Sequence, residues 1–195
     1  MARATWFCVD IECGGPVPAL YDMLSIGCVP VVSEGATHRV LEGDAHRFYV
    51  EIQPTAPRVD PGAMKVNKLD LAHLAAHGQT LEAALDALTA FVRANTAPGT
   101  KPVFVGHNAP FDWSFVSYAY HATGRDNPFG YKALDTKALS MGVLGLHWFD
   151  SNKEELAARL VLPDVIEDQV HRADYDAHYQ AHILARLLEA AGMAG

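Results

Sequence analysis

Trp6-Phe7-Cys8-Val9-Asp10-Ile11-Glu12-Cys13-Gly14-Gly15-Pro16-Val17 is an apolar run that carries two carboxylates and then breaks at a turn. Trp6–Ile11 reads as a buried strand, closed off by Gly14-Gly15-Pro16. Side chains two apart on a strand leave the same face, so Asp10 and Glu12 emerge together. Two like charges withdrawn from water are costly unless a cation or a proton neutralises them. The pair therefore points to metal ligation or, more blandly, to a solvated strand end.

Outward from this strand, Met23–Val32 and Arg47–Ile52 read as two more, and the three are expected to form an antiparallel meander. Pro54, Pro57 and Pro61 mark a loop, and Leu69–His77 a short helix. Thr80 caps a clearer helix, with apolar residues at Leu81, Ala84, Leu85, Leu88, Phe91 and Val92. Val103–Val105 is a fourth strand, Phe111–Ala122 a helix stopped by Gly124, and Tyr131–Leu134 a fifth strand followed by a helix from Thr136. Ser151 and Glu154 have capping-box spacing for a helix through Leu160, and Asp174 to Ala191 is the last and most regular helix. Strands first, then alternating helix and strand, predict an α/β fold: a mixed five-stranded sheet flanked by helices, in one domain over residues 1–195.

Two further segments carry chemistry. His107-Asn108-Ala109-Pro110-Phe111-Asp112 leaves the fourth strand at a helix start, where α/β proteins often place sites. The alternative is that Asn108 caps the helix and Asp112 complements its dipole. His171 precedes the last helix by a few residues and Asp176 lies in its first turns, a spacing that can bring an imidazole and a carboxylate to one mouth.

Composition narrows the function classes. A net charge of −8 argues against wrapping duplex DNA, which calls for a basic face, and favours a small footprint such as one strand end. An acidic metal site is close to neutral once loaded, so the charge is compatible with a nucleic-acid substrate. The opening lacks a secretory pattern, no apolar run approaches the ~20 residues that span a bilayer, and Cys8, Cys13 and Cys28 read as reduced thiols. A cytoplasmic protein without a membrane partner is expected.

Together, Asp10-Ile11-Glu12, His107 through Asp112, and His171-Arg172-Ala173-Asp174-Tyr175-Asp176-Ala177 resemble, in order and element context, the three motifs of the DEDDh 3′-to-5′ exonucleases. That family includes proofreading subunits, ribonuclease T and oligoribonuclease, and the likeness runs from Trp6 to about Leu188. The resemblance implies a ribonuclease-H-like fold and removal of nucleoside 5′-monophosphates from a single-stranded 3′ end. It implies that Asp10, Glu12, Asp112 and Asp176 hold two divalent cations, Mg²⁺ or Mn²⁺, and that His171 is the general base. Family members are often dimers, which leaves a homodimer open. Two other readings of the same residues are a catalytically silent nucleic-acid-binding domain and a phosphohydrolase acting on nucleotides or very short oligonucleotides.

The chain departs from the family after Glu12, where a Thr or Ser and an apolar wedge are usual. Cys13, Gly14, Pro16 and Val17 stand there instead; with Asn108 they are the expected substrate contacts, the glycines permitting close backbone approach. His178 and His182 are four apart, a zinc-compatible spacing, but no third ligand is recognisable and a solvated face is expected. Phe115 and Tyr118 fit helical core spacing, which leaves Trp113 as the aromatic substrate contact. Lys65, Lys68, Lys132 and Lys137 read as solvent charge.

Overall fold

The computed structural model describes residues 3–163, 165–166 and 169–193. Its centre is β1 (Arg3–Cys13), paired antiparallel with β2 (Met23–Glu34) on one side and parallel with β5 (Thr100–Gly106) on the other. β6 (Ala133–Asp135) continues the parallel edge. The far edge of β2 is divided: β3 (Thr37–Val40) pairs with its second half, and β4 (Phe48–Glu51) with Ser25–Cys28. The sheet thus has six strands rather than five, and β3 and β4 share one neighbour instead of extending a meander. Thr37-His38-Arg39-Val40 escapes a search for apolar runs because only His38 and Val40 turn inward.

Helices close both faces. α1 (Pro61–Asn67) and α2 (Leu71–His77) follow β4, then α3 (Leu81–Asn95) and α4 (Pro110–Ala122) flank β5. α5 (Thr136–Leu144), α6 (Lys153–Leu160) and α7 (Ala173–Ala190) complete the chain. On one face Phe7, Val9, Ile26 and Phe104 meet Leu85, Leu88, Phe115 and Val116. On the other, Cys8, Val29, Val31 and Val105 meet Ala177, Ala181, Leu184 and Leu188 of α7. A second face of α7, with Ile183 and Leu187, packs on Leu156 of α6.

Two local expectations are corrected. Pro61 does not prolong a loop but starts α1, because the first helical position needs no N–H and Asp60 caps it by accepting from Ala63. α6 is capped by Asn152, which accepts from the Glu155 N–H, while Ser151 donates back to the Trp148 carbonyl. Thr80 caps α3 as its sequence predicts. Among the described residues, no helix is long and apolar enough to cross a membrane.

Candidate active site

Strand alternation sorts β1 into two functions. Phe7, Val9, Ile11 and Cys13 point into the core beneath α3 and α4, so Asp10 and Glu12 share the face of Cys8, toward α7. α7 begins over Gly27, the register partner of Asp10 on β2. A Cβ at Gly27 would stand 2.1 Å from the Ala173 carbonyl oxygen, so the missing side chain is what lets the first turn of α7 lie on the sheet. From there α7 directs Asp176 and Gln180, one turn apart, at the strand end, and Gln180 Nε2 donates to Asp10 Oδ1 at 2.6 Å.

Asp112 arrives from α4. The β1–β5 ladder stops at Cys8–Val105, and farther along β1 the Ile11 N–H is taken up by Asp112 Oδ1 at 3.1 Å. The turn that delivers Asp112 is held by Asp135, which accepts from the N–H groups of Asn108 (2.9 Å) and Ala109 (3.4 Å) as well as capping α5 through Lys137 N. Asn108 itself is left-handed, with φ 65°, and the capping position of α4 falls to Ala109 without a side-chain bond. The capping role considered for Asn108 is therefore not realised.

A fourth contributor was not legible as such. Lys153 Nζ lies 2.5 Å from Asp176 Oδ1 and 3.8 Å from Asp10 Oδ1. The one sequence cue is a lysine directly after a helix cap, where the helix dipole disfavours a cation. Burial opposes its charge, yet Asp10 and Asp176 hold its pKa above the usual lysine value. Even so, the carboxylates are under-compensated. Burial drives Asp10 well above its ordinary range against the pull of Lys153, with Asp112, Asp176 and Glu12 adding to the rise. Burial and then Asp176 raise Glu12 to about 8, and burial raises Asp112 to about 7 despite the Ile11 N–H. Burial, reinforced by Lys153 and Lys137, lowers neighbouring His107 to about 3, so its ring, bonded to Thr136 Oγ1 at 2.9 Å, is neutral.

His171 is exposed, with φ 65°, and its N–H donates to Asp176 Oδ2 at 2.8 Å. That bond ties the histidine backbone, in a conformation L-residues seldom adopt, to the site. One ring nitrogen of His171 and one oxygen each of Glu12 and Asp176 lie within 4.8 Å of one another. The five residues, with His107, Asn108 and Lys153, line one open cavity of about 590 Å³. Four carboxylates from three remote segments, three of them shifted toward the protonated form, are a donor set suited to hard divalent cations.

The backbone of the turn after Glu12 is bonded within the fold. Cys13, Gly14, Pro16 and Val17 do not line this cavity. The Gly14 N–H donates to Asp22 O, its carbonyl accepts from Asp60 N, and the Cys13 carbonyl accepts from Asn67 Nδ2. These backbone groups tie the turn to the fold. Pro16 and Val17 are exposed. Trp113 packs against Phe104 of the core at 5.0 Å and is not part of this cavity wall, and Tyr118 is exposed rather than buried. Phe111, Tyr179 and Trp148 are the aromatic side chains along the cavity, and the Trp148 ring sits 4.6 Å from Lys137 Nζ. Lys137 is thus part of the cavity wall as well as surface charge.

The family model described as Exonuclease (RNase_T) matches residues 7–184. The chain is 35% identical over 181 residues to the 3′-5′ DNA exonuclease Cap18 of Escherichia coli, covering 93% of this chain and 89% of the relative. It is 27% identical over 186 residues to ribonuclease T of Photorhabdus laumondii, covering 92% and 82%. The nuclease domain of 3′hExo, a DEDDh family member solved bound to rAMP, superposes with a TM-score of 0.74 at 13% identity, over 94% of this chain and 91% of that one.

The architecture is therefore that of the ribonuclease-H-like nucleases. The chain belongs to the DEDDh 3′-to-5′ exonuclease family and is a nuclease, and the family is divalent-metal dependent.

Proposed function

We propose that the protein shortens single-stranded nucleic acid from its 3′ end, one nucleoside 5′-monophosphate at a time, and that residues 1–195 act as one exonuclease domain in the cytoplasm. The observation that carries this reading is the convergence of Asp10, Glu12, Asp112 and Asp176 on one cavity with an imidazole at its rim. These four carboxylates are the ligand set for two divalent cations, Mg²⁺ or Mn²⁺. Bound there, the ions supply Lewis-acid stabilisation of charge at the phosphate and a more acidic water.

The chain's own groups do the rest. His171 takes the proton of the attacking water on an imidazole nitrogen, at the rim where the ring is open to solvent. The water oxygen bonds to phosphorus as the bond between phosphorus and the 3′ oxygen breaks, and the departing oxygen takes a proton from solvent, leaving a 3′ hydroxyl on the strand and a 5′ phosphate on the released nucleotide. Asn108 borders the nucleotide, and Trp148 offers an aromatic face to the terminal base. Lys153 compensates the carboxylates until cations take over that role. Identity with a DNA exonuclease at 35%, against 27% with ribonuclease T, favours DNA as substrate.

The test is a 5′-labelled single strand, as matched DNA and RNA, incubated with Mn²⁺ with and without chelator. A single-nucleotide ladder that vanishes with chelator and is faster on DNA is the expected result. A mobility shift without shortening would make the protein a binder and overturn the reading.

A further inference from the structure

Helix α7 carries a second ligand-bearing face. Two residues beyond Asp176 the helix has turned by about 200°, so His178 faces away from the carboxylate cavity. His182 lies one turn farther along the same face, the two rings edge to face with centroids 4.7 Å apart. Both aim Nε2 at one carboxylate from the loop after β3: His178 lies 2.9 Å from Glu42 Oε2, and His182 3.4 Å from Glu42 Oε1. Glu42 is the third donor that sequence spacing did not disclose, because it lies far upstream in the chain.

We propose that Glu42, His178 and His182 form a transition-metal site of the zinc class, separate from the carboxylate centre, that fastens the loop after β3 to α7. One donor atom from each residue lies within 4.8 Å of the other two. A tetrahedral zinc ion with bonds near 2.0–2.1 Å wants donors about 3.4 Å apart, so small side-chain adjustments close the site. Two borderline imidazoles with one carboxylate suit zinc, whereas the all-carboxylate set of Asp10, Glu12, Asp112 and Asp176 suits harder ions. An open cavity of about 590 Å³ beside Glu42 and His182 leaves room for a water as fourth ligand. Metal-free, a Glu42 that is 60% exposed gains little from its histidines, so the metal would supply most of the loop's anchorage.

The proposal does not rest on the exonuclease reading, and metal counting tests it whether or not strands are shortened. The full chain is stripped of metal, dialysed against limiting zinc in excess Mg²⁺, and its zinc measured by elemental analysis. One zinc per chain is expected in the wild type and in Asp112→Ala, and near zero in His182→Ala and Glu42→Gln. Loss of a direct ligand should weaken affinity more than the ~10–100-fold typical of outer partners. Mg²⁺-supported strand shortening by His182→Ala should match wild type. Equal zinc in wild type and both variants, or zinc lost in Asp112→Ala yet kept in His182→Ala, overturns the proposal. If circular dichroism shows His182→Ala unfolded, Glu42→Gln, a loop substitution, decides in the same way.

Discussion

The Lys153 ammonium sits 2.5 Å from Asp176 Oδ1, joining the start of α6 to the first turns of α7 at the carboxylate cavity. It occupies space among carboxylates that the family's cations would share, so ammonium and metal compete for one negative field. Lys153→Met should therefore tighten Mn²⁺ binding several-fold in calorimetric titration while lowering metal-free stability. The loss is expected near 1–2 kcal/mol, below the ~3–5 typical of broken buried pairs, because the lysine side chain is still 23% exposed. Unchanged Mn²⁺ affinity would show that Lys153 does not compete.

The raised carboxyls set a pH dependence whose sign follows from linkage. Glu12 and Asp112 rise to about 8 and about 7 from ordinary values of 4.5 and 3.8, and Asp10 also rises. A folded-state pKa above the unfolded one gives stability that is complete below the unfolded value and lost as pH climbs through the folded value. The chelator-treated protein should thus melt at a lower temperature at pH 8 than at pH 6. Divalent ions should restore more stability at pH 8, and binding at pH 7 should release protons, read by calorimetry in buffers of differing ionisation heat. A metal-free melting temperature that rises between pH 6 and pH 8 would contradict this account.

His171 allows chemistry and backbone to be separated. Its φ of 65° suits glycine, so His171→Gly removes the imidazole while relieving the strain. Turnover should fall about 10²-fold or more with no loss of melting temperature. Near wild-type turnover would remove the histidine from the proton-transfer role.

Gly27 is the position where fold and site meet. In Gly27→Ala the new methyl would lie 2.1 Å from the Ala173 carbonyl oxygen, so α7 must lift off the sheet and carry Asp176 with it. Denaturant melts should show a loss at or above the ~1–3 kcal/mol typical of overpacking. Strand shortening should drop far more than stability alone explains.

Gln180 tests whether Asp10 needs its tether. Gln180→Leu removes the 2.6 Å bond to Asp10 from a fully buried side chain. Turnover should fall with little change in apparent substrate affinity, and stability should fall by roughly 1–2 kcal/mol. A variant with full activity would show that packing alone positions Asp10.

Much of this was readable along the chain because it is locally encoded. Asp10 and Glu12 share a face by strand geometry, Thr80 caps its helix, and the apolar period of the last helix marks its length. Short or polar elements were not readable: β3 has only two inward residues, and α1 starts at a proline that also suits a loop. Glu42 gave no usable signal and Lys153 only its place after a helix cap, since a lone charged residue is ordinary surface until its partners are known.

Periodicity by itself determined the α/β layering, and the resemblance of three motifs to the DEDDh exonucleases pointed to the family and to the five side chains expected at one cavity. Only the tertiary structure decided that Lys153 and Gln180 support those five, that Trp148 rather than Trp113 faces the cavity, and that the Cys13–Val17 turn lies outside its wall. The physical reason is that strand and helix periods fix the direction a side chain leaves its own element. What it meets there depends on how α6 and α7 cross the sheet, and that is set by packing around Gly27, Leu156 and Ile183.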